Sequence, residues 1–252
     1  MTQVLRYGVH ADQVVELHEP APAEGSGDEG AQVRGVAVLV HGGYWRARFT
    51  RELMTPMAQD LLGRGWAVAN LEYRRVGAGG SWPAILDDAR AALELAVGTA
   101  GDRGWPGPVV AVGHSVGGQL ALLTADAGVD GVVALAPVTD LPRTRREHLG
   151  EDAVEDLLAA STGEEQTLLE DGSAISRLPV GVPVLVVHGD ADVRVPLAHS
   201  EDYVDAARAA GDDVELRTLE GVDHLALIGA DPPWWEDVVA WMAAVRTRPA
   251  RR

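Results

Sequence analysis

The chain has no cysteine, and it has no lysine either, since all 21 basic side chains are arginine. Without cysteine there is no disulfide framework, thiolate nucleophile, cysteine zinc site or iron–sulfur cluster. Without lysine there is no Schiff base to a carbonyl or to pyridoxal phosphate. A phosphate-loop lysine is excluded for the same reason. Any nucleophile in this protein is therefore an oxygen. Positive charge is also in deficit: 38 acidic side chains leave a net charge of −17 over 252 residues. Counterion release from nucleic acid needs clustered cations, so this balance argues against a sequence-independent nucleic-acid partner. The small arginine groups, Arg74-Arg75, Arg143 to Arg146 and the tail from Arg246 to Arg252, read as solvated surface.

Long hydrophobic runs are missing too. No window approaches the roughly 18 apolar residues of a membrane span. Met1 to Glu19 alternates polar and apolar residues and lacks the basic-then-apolar order of a signal peptide. The expectation is a cytoplasmic protein with neither membrane nor nucleic acid as partner.

What is present is enough apolar side chain, 46% of the residues, for one sizeable core. Residues 1–252 are expected to form a single domain. Pro20 to Gln32, rich in Pro, Ala, Gly, Ser and Glu, reads as an exposed loop between two strands. Short apolar runs then alternate with helical patterns. Strands are expected at Val36–Val40, Ala67–Leu71, Val109–Val112, Val132–Leu135, Val184–Val187 and Val214–Leu219. Helices are expected over Thr50–Arg64, after a Ser81 cap, and over Gly117–Ala127, Leu197–Ala210 and Trp234–Val245. Unalternating strands separated by helices imply a parallel sheet covered on both faces. Val4–Tyr7 and Val14–Leu17 alternate and suit an antiparallel edge. The fold class is α/β, with a mostly parallel sheet of about eight strands. Thr139 to Gly181 is too long for a plain connection. Its acidic, helically spaced sequence predicts two or three short helices and a cap over a pocket.

Gly113-His114-Ser115-Val116-Gly117-Gly118 follows a strand and opens a helix. In that context G-x-S-x-G is a sharp turn presenting the serine hydroxyl above the sheet. Val116 begins the helix, so its N–H is free to face an anion. Val36–Val40 ends in His41-Gly42-Gly43-Tyr44-Trp45. There the N–H groups near Gly43 and Tyr44 are candidate donors to an oxyanion. His41 suits a loop-holding hydrogen bond, and Tyr44 and Trp45 could wall a pocket.

A serine needs a base, and the base needs an orienting carboxylate. Of eight histidines, His10, His18, His148 and His199 fall on expected surface positions. His114 points away from the nucleophile, and His188 ends a strand in a structural position. His224 lies in the loop between the last strand and the last helix, at the carboxyl edge of the sheet. For the carboxylate, Asp190 and Asp192 both follow the penultimate strand, and the longer reach favours Asp192. Asp223, adjacent to His224, is badly directed to grip its ring.

The order Ser, Asp, His and these two loops resemble the α/β-hydrolase-fold serine hydrolases over essentially the whole chain. His-Gly-Gly-Tyr-Trp with Gly-His-Ser-Val-Gly-Gly is similar to the branch holding kynurenine formamidases (arylformamidases) and related carboxylesterases. So is the opening hairpin from Tyr7-Gly8 through Gln13-Val14 to Pro20. The resemblance implies Ser115 as nucleophile, Asp192 as acid, His224 as base, and oxyanion donors at Gly43 or Tyr44 plus Val116. The long acidic insertion after Thr139 departs from that branch. The expected activity is hydrolysis of an ester or aryl formamide of a small molecule, with no cofactor or metal. Trp45 and Trp82, with Tyr44, are candidate substrate contacts. A peptidase of the prolyl oligopeptidase type uses the same triad, but usually carries a propeller for which this length leaves no room. A lyase, perhydrolase or non-enzymatic binding module on the same scaffold completes the alternatives. The oligomeric state is left open.

Overall fold

The computed structural model describes residues 2–21, 33–229 and 233–247. Most of the loop expected at Pro20–Gln32 and the last part of the arginine tail lie outside the described residues.

Eight strands form one sheet: β1 (Thr2–Arg6), β2 (Val14–His18), β3 (Val36–Val40), β4 (Ala67–Glu72), β5 (Val109–His114), β6 (Gly131–Leu135), β7 (Val184–Gly189) and β8 (Val214–Leu219). Their order across the sheet is β1-β2-β4-β3-β5-β6-β7-β8. The β1–β2 and β2–β4 pairs are antiparallel, and every pair from β4–β3 to β7–β8 is parallel. Strands β3 to β7 are buried at every residue, which explains their unbroken runs of Val, Leu and Ala. The exposed edge β1 carries the alternating, polar sequence.

Residues one apart along each strand enter opposite core layers. Val36, Val38 and Val40 face the layer built with α2 (Ala84–Asp102), α3 (Val116–Leu123) and α7 (Ala198–Ala209). Ala37 and Leu39 face α1 (Thr55–Gly63) and α8 (Trp235–Ala244), through Met57, Leu61, Val238 and Met242. Helices thus cover both faces of the sheet.

The segment from Thr139 to Gly181 holds α4 (Leu141–Arg146), α5 (Leu149–Ala160), α6 (Glu165–Asp171) and a 3-10 turn at Ala174–Arg177. Leu141, Val154, Leu157 and Leu168 join the core layer of α2 and α3. Gly150, Glu151 and Asp152 stand at left-handed angles (φ 66°, 57° and 59°), so regular α5 starts after Asp152.

Three local expectations change. Ser81 does not cap α2 with its side chain; Pro83 occupies the cap, and the Ser81 carbonyl accepts from Ile85 N. Arg75 is buried rather than solvated, paired with Glu72 and Asp12, while Arg74 grips Asp88. His199 is buried under the insertion, with its Nε2 2.8 Å from Glu147 Oε2. The reason is common to the last two. Sequence periodicity places a residue on an element, but only packing between elements covers it.

Candidate active site

Four loops leave the carboxyl ends of β3, β5, β7 and β8, and these carry the residues singled out above. The tightest turn lies between β5 and α3. Ser115 stands at φ 58° and ψ −122°, an arrangement that costs a non-glycine residue about 1–3 kcal/mol. Its backbone is held by Ser115 N donating to Leu135 O (2.8 Å) and by Ser115 O accepting from Gly118 N and Gln119 N. The turn can form only because position 117 lacks a side chain: a Cβ there would lie 2.1 Å from Val40 O. The same absence lets β3 and its following loop close on the serine.

That loop is itself strained. Gly43, Tyr44 and Trp45 have φ of 114°, 54° and 58°. It is anchored from below by His41, whose Nδ1 lies 2.7 Å from Gly42 O and Nε2 2.8 Å from Glu72 Oε1. The His41 ring stacks on Tyr73 at 4.4 Å. Glu72 is buried and also accepts from Arg51 N (3.0 Å), Tyr73 N (3.1 Å) and the Arg75 guanidinium. Burial pushes its carboxyl up, but the His41 and Arg51 hydrogen bonds and the Arg75 charge outweigh that and hold it at about 2. Glu72 was not singled out from sequence. Its one signal is position: an acidic residue ending a mostly apolar strand two residues after Asn70.

The N–H groups of Gly43, Tyr44 and Val116 donate to no other protein group among the described residues. Trp45 is buried, its indole N–H donating to Gln119 Oε1 at 3.0 Å, and Gln119 Nε2 donates to Gly172 O at 2.6 Å. Trp82 is buried in the same layer, and its backbone N–H donates to Ser161 Oγ (2.8 Å). Gln119 and Ser161 thus tie the serine turn and the region before α2 to the insertion. Tyr44 is buried against residue 150 of the insertion, and burial raises its phenol above the ordinary range.

On the other side, His224 Nδ1 lies 2.5 Å from Asp192 Oδ2. Asp192 Oδ1 accepts from Arg194 N (2.8 Å) and Val195 N (3.0 Å). Burial pushes this carboxyl up; the neighbouring His188 and the hydrogen bonds from His224 and Val195 overcome it and hold it well below the carboxylate range. Neither rival carboxylate faces the ring. Asp190 is exposed and accepts from Gly221 N, and exposed Asp223 accepts from Leu225 N and Ala226 N.

The two sides meet through His114. Its Nε2 donates to His224 O at 2.9 Å, and the two rings lie 4.5 Å apart. Burial, with the neighbouring His224, drives His114 down to about 3, so it is a neutral spacer. Its neighbour in the chain is Ser115. No hydrogen bond joins Ser115 Oγ to His224 among the described residues. Such contacts commonly tighten only when substrate binds. The arrangement offers a hydroxyl at a strained turn, a carboxylate-gripped imidazole tied to that turn through His114, and a loop after β3 that passes against the serine, where a Cβ on Gly42 would lie 2.9 Å from Ser115 Cβ.

A model of the prolyl oligopeptidase family matches residues 89–247, more than half of the chain, and these include Ser115, Asp192 and His224. The chain belongs to the prolyl oligopeptidase family. The matched residues run from within α2 past α8 and so consist of the sheet and helices themselves. A BD-FAE model matches residues 27–130, which include the His-Gly-Gly loop. Among solved structures, a truncated carbohydrate esterase from gut microbiota is similar at TM-score 0.81 and 18% identity, over 98% of this chain and 97% of that one. Esterase B from Lactobacillus Rhamnosis (HN001) is similar at TM-score 0.77 and 20% identity, over 96% and 83%. Butyrate-bound esterase 2 of Thermogutta terrifontis is similar at 0.73 and 22%, over 98% and 96%. At these identities the likeness establishes the fold, which is that of the α/β-hydrolases. No curated protein matches the chain. Among the described residues no helix is long and apolar enough to cross a membrane.

Proposed function

We propose that this member of the prolyl oligopeptidase family is a serine hydrolase that cleaves carboxylic esters of small molecules. The observation that carries this reading is the Asp192–His224 pair at 2.5 Å, fixed through His114 beside the strained Ser115. Ser115 Oγ attacks the carbonyl carbon while His224 Nε2 removes its proton. Asp192 holds the imidazole in its Nδ1–H form and stabilises the imidazolium. The oxyanion is held by the N–H of Val116 with that of Gly43 or Tyr44. His224 then protonates the departing alkoxide, and water repeats the cycle on the acyl-enzyme. Segment 139–181 serves as a cap, since it packs on Tyr44 and reaches Arg46 through Asp156 Oδ2 (2.6 Å) and Glu151 O (2.8 Å).

The finer substrate choice is between esters and aryl formamides, and the His-Gly-Gly-Tyr-Trp loop favours keeping both. A paired assay of short p-nitrophenyl esters and N-formylkynurenine, with wild type and Ser115→Ala, decides it. Ester turnover lost in the variant supports the reading, and preference for the formamide narrows it to the arylformamidase type. Cleavage of a peptide p-nitroanilide in place of either moves the assignment to a peptidase. No Ser115-dependent turnover overturns it.

A further inference from the structure

Beside the acid of this site lies a second histidine that the mechanism does not use. His188, at the end of β7, is fully buried. Its Nδ1 lies 2.7 Å from Ser200 Oγ on α7, and its Nε2 lies 2.8 Å from Val195 O. A carbonyl oxygen only accepts, so the proton sits on Nε2. Nε2 is also 3.3 Å from Asp192 Oδ2, the oxygen that His224 Nδ1 meets at 2.5 Å. Asp192 Oδ2 thus has an imidazole on each side, bonded by His224 Nδ1 and approached at longer range by His188 Nε2, whose proton goes first to Val195 O. Oδ1 takes Arg194 N and Val195 N.

We infer that His188 is a positioning residue that sets the basicity of His224 by competing with it for Asp192 Oδ2. This rests on the proposed roles of Ser115 and His224. A hydrogen bond to a charged group is worth more than one between neutral groups, and a carboxylate oxygen divided between two donors holds each less strongly. The share taken by His188 weakens the hold on the protonated form of His224. The Nε2–H bond to Val195 O also pins the loop that carries Asp192. Ser200 Oγ can donate to the ring at Nδ1, and so it fixes the tautomer.

The other titratable or charged groups facing the pair do not substitute for His188. His114, from β5, is neutral and spends Nε2 on His224 O. Tyr44, from the loop after β3, is a phenol raised by burial, with Arg194 beside it. Asp190 and Asp223 are turned to backbone N–H groups.

Replacing His188 by leucine removes the competing donor, so the acid limb of kcat/KM for a p-nitrophenyl ester moves to higher pH. The expected shift is about half to one pH unit, or three- to tenfold in rate below the limb. His188→Gln keeps an N–H and returns the limb toward wild type. A merely structural role lowers kcat or the melting temperature of both variants and leaves the limb in place, which overturns the inference. Nitrogen-15 NMR of the histidine rings in the wild-type protein is the second measurement. His188 is expected as the Nε2–H tautomer, and the Nδ1–H tautomer contradicts the inference even if neither variant folds. The titration of His224 by the same spectra needs no substrate. If Ser115-dependent turnover is absent, the proposed function fails, while a shifted His224 titration in His188→Leu still upholds the coupling and an unshifted one ends it.

Discussion

Ser115 and the amides around it are positioned by backbone angles, whereas Asp192 and His224 are positioned by side-chain hydrogen bonds. The first group sits on positive φ at Gly43, Tyr44, Trp45 and Ser115, with the strain contained by β3, β5 and the buried His41–Glu72 contact. The second rests on Asp192, which takes donors from His224, Arg194 N and Val195 N and has His188 beside it. Backbone strain holds dipoles rigidly and carries no titratable group to the reacting atoms. Hydrogen-bonded imidazoles respond to pH. Damage to the first side should therefore lower the rate without moving the pH profile, and damage to the second should move the profile.

The largest effect is expected at the junction. Ser115→Ala should lower kcat by about 10⁶-fold, measured on a p-nitrophenyl ester, with folding unchanged by circular dichroism. Next is Asp192→Asn, which keeps the shape but spoils the tautomer of His224. A loss of about 10⁴-fold is expected, with a displaced acid limb in the pH–rate profile.

On the strained side, Glu72→Gln leaves His41 and Arg75 without their carboxylate. Activity should fall about 10- to 100-fold, because the Gly43–Tyr44 donors shift, yet the acid limb should stay in place. Denaturant unfolding should show a loss of about 3 kcal/mol. The wild-type protein carries a pH signature of the same contact. Glu72 is depressed from 4.5 to about 2 in the fold, so its contribution is whole above pH 4.5 and disappears as pH falls toward 2. Urea midpoints taken across that window should fall less steeply for Glu72→Gln. The smallest change is Gly150→Ala. Its Cβ would lie 2.3 Å from the Tyr44 ring, at a φ of 66°. A rate loss of about tenfold or less is expected, again with an unmoved limb. A moved limb in either of these two variants would break the division between the sides.

Sequence reveals these sides unequally. The sheet was legible because strands buried on both faces need uninterrupted Val, Leu and Ala, as in Val36–Val40 and Val109–Val112. The turn at Ser115 was legible because its close approaches demand residues without side chains on either side. The role of Glu72 was not, because Glu72-Tyr73-Arg74-Arg75 reads locally as a charged surface. Only the pairing of β4 beside β3 brings Glu72 under His41. The left-handed angles at Glu151 and Asp152 are likewise invisible, since Glu disfavours them and Asp visits them only as an occasional single residue. They persist where Arg46 bonds Glu151 O and Asp156. His199 reads as a surface position on α7, and only the fold brings Glu147, just after α4, over it. Close packing imposed by one element's own sequence can be read in advance. Contacts contributed by a distant segment cannot.

The central claim is that the two sides converge to activate one hydroxyl. Intact-mass spectrometry after brief exposure to a fluorophosphonate tests this most directly, using wild type, Ser115→Ala and His224→Ala. The account predicts a single adduct on wild type, mapped to Ser115, and none on either variant at the same exposure. An adduct retained in Ser115→Ala, or labelling of His224→Ala at the wild-type rate, would contradict it.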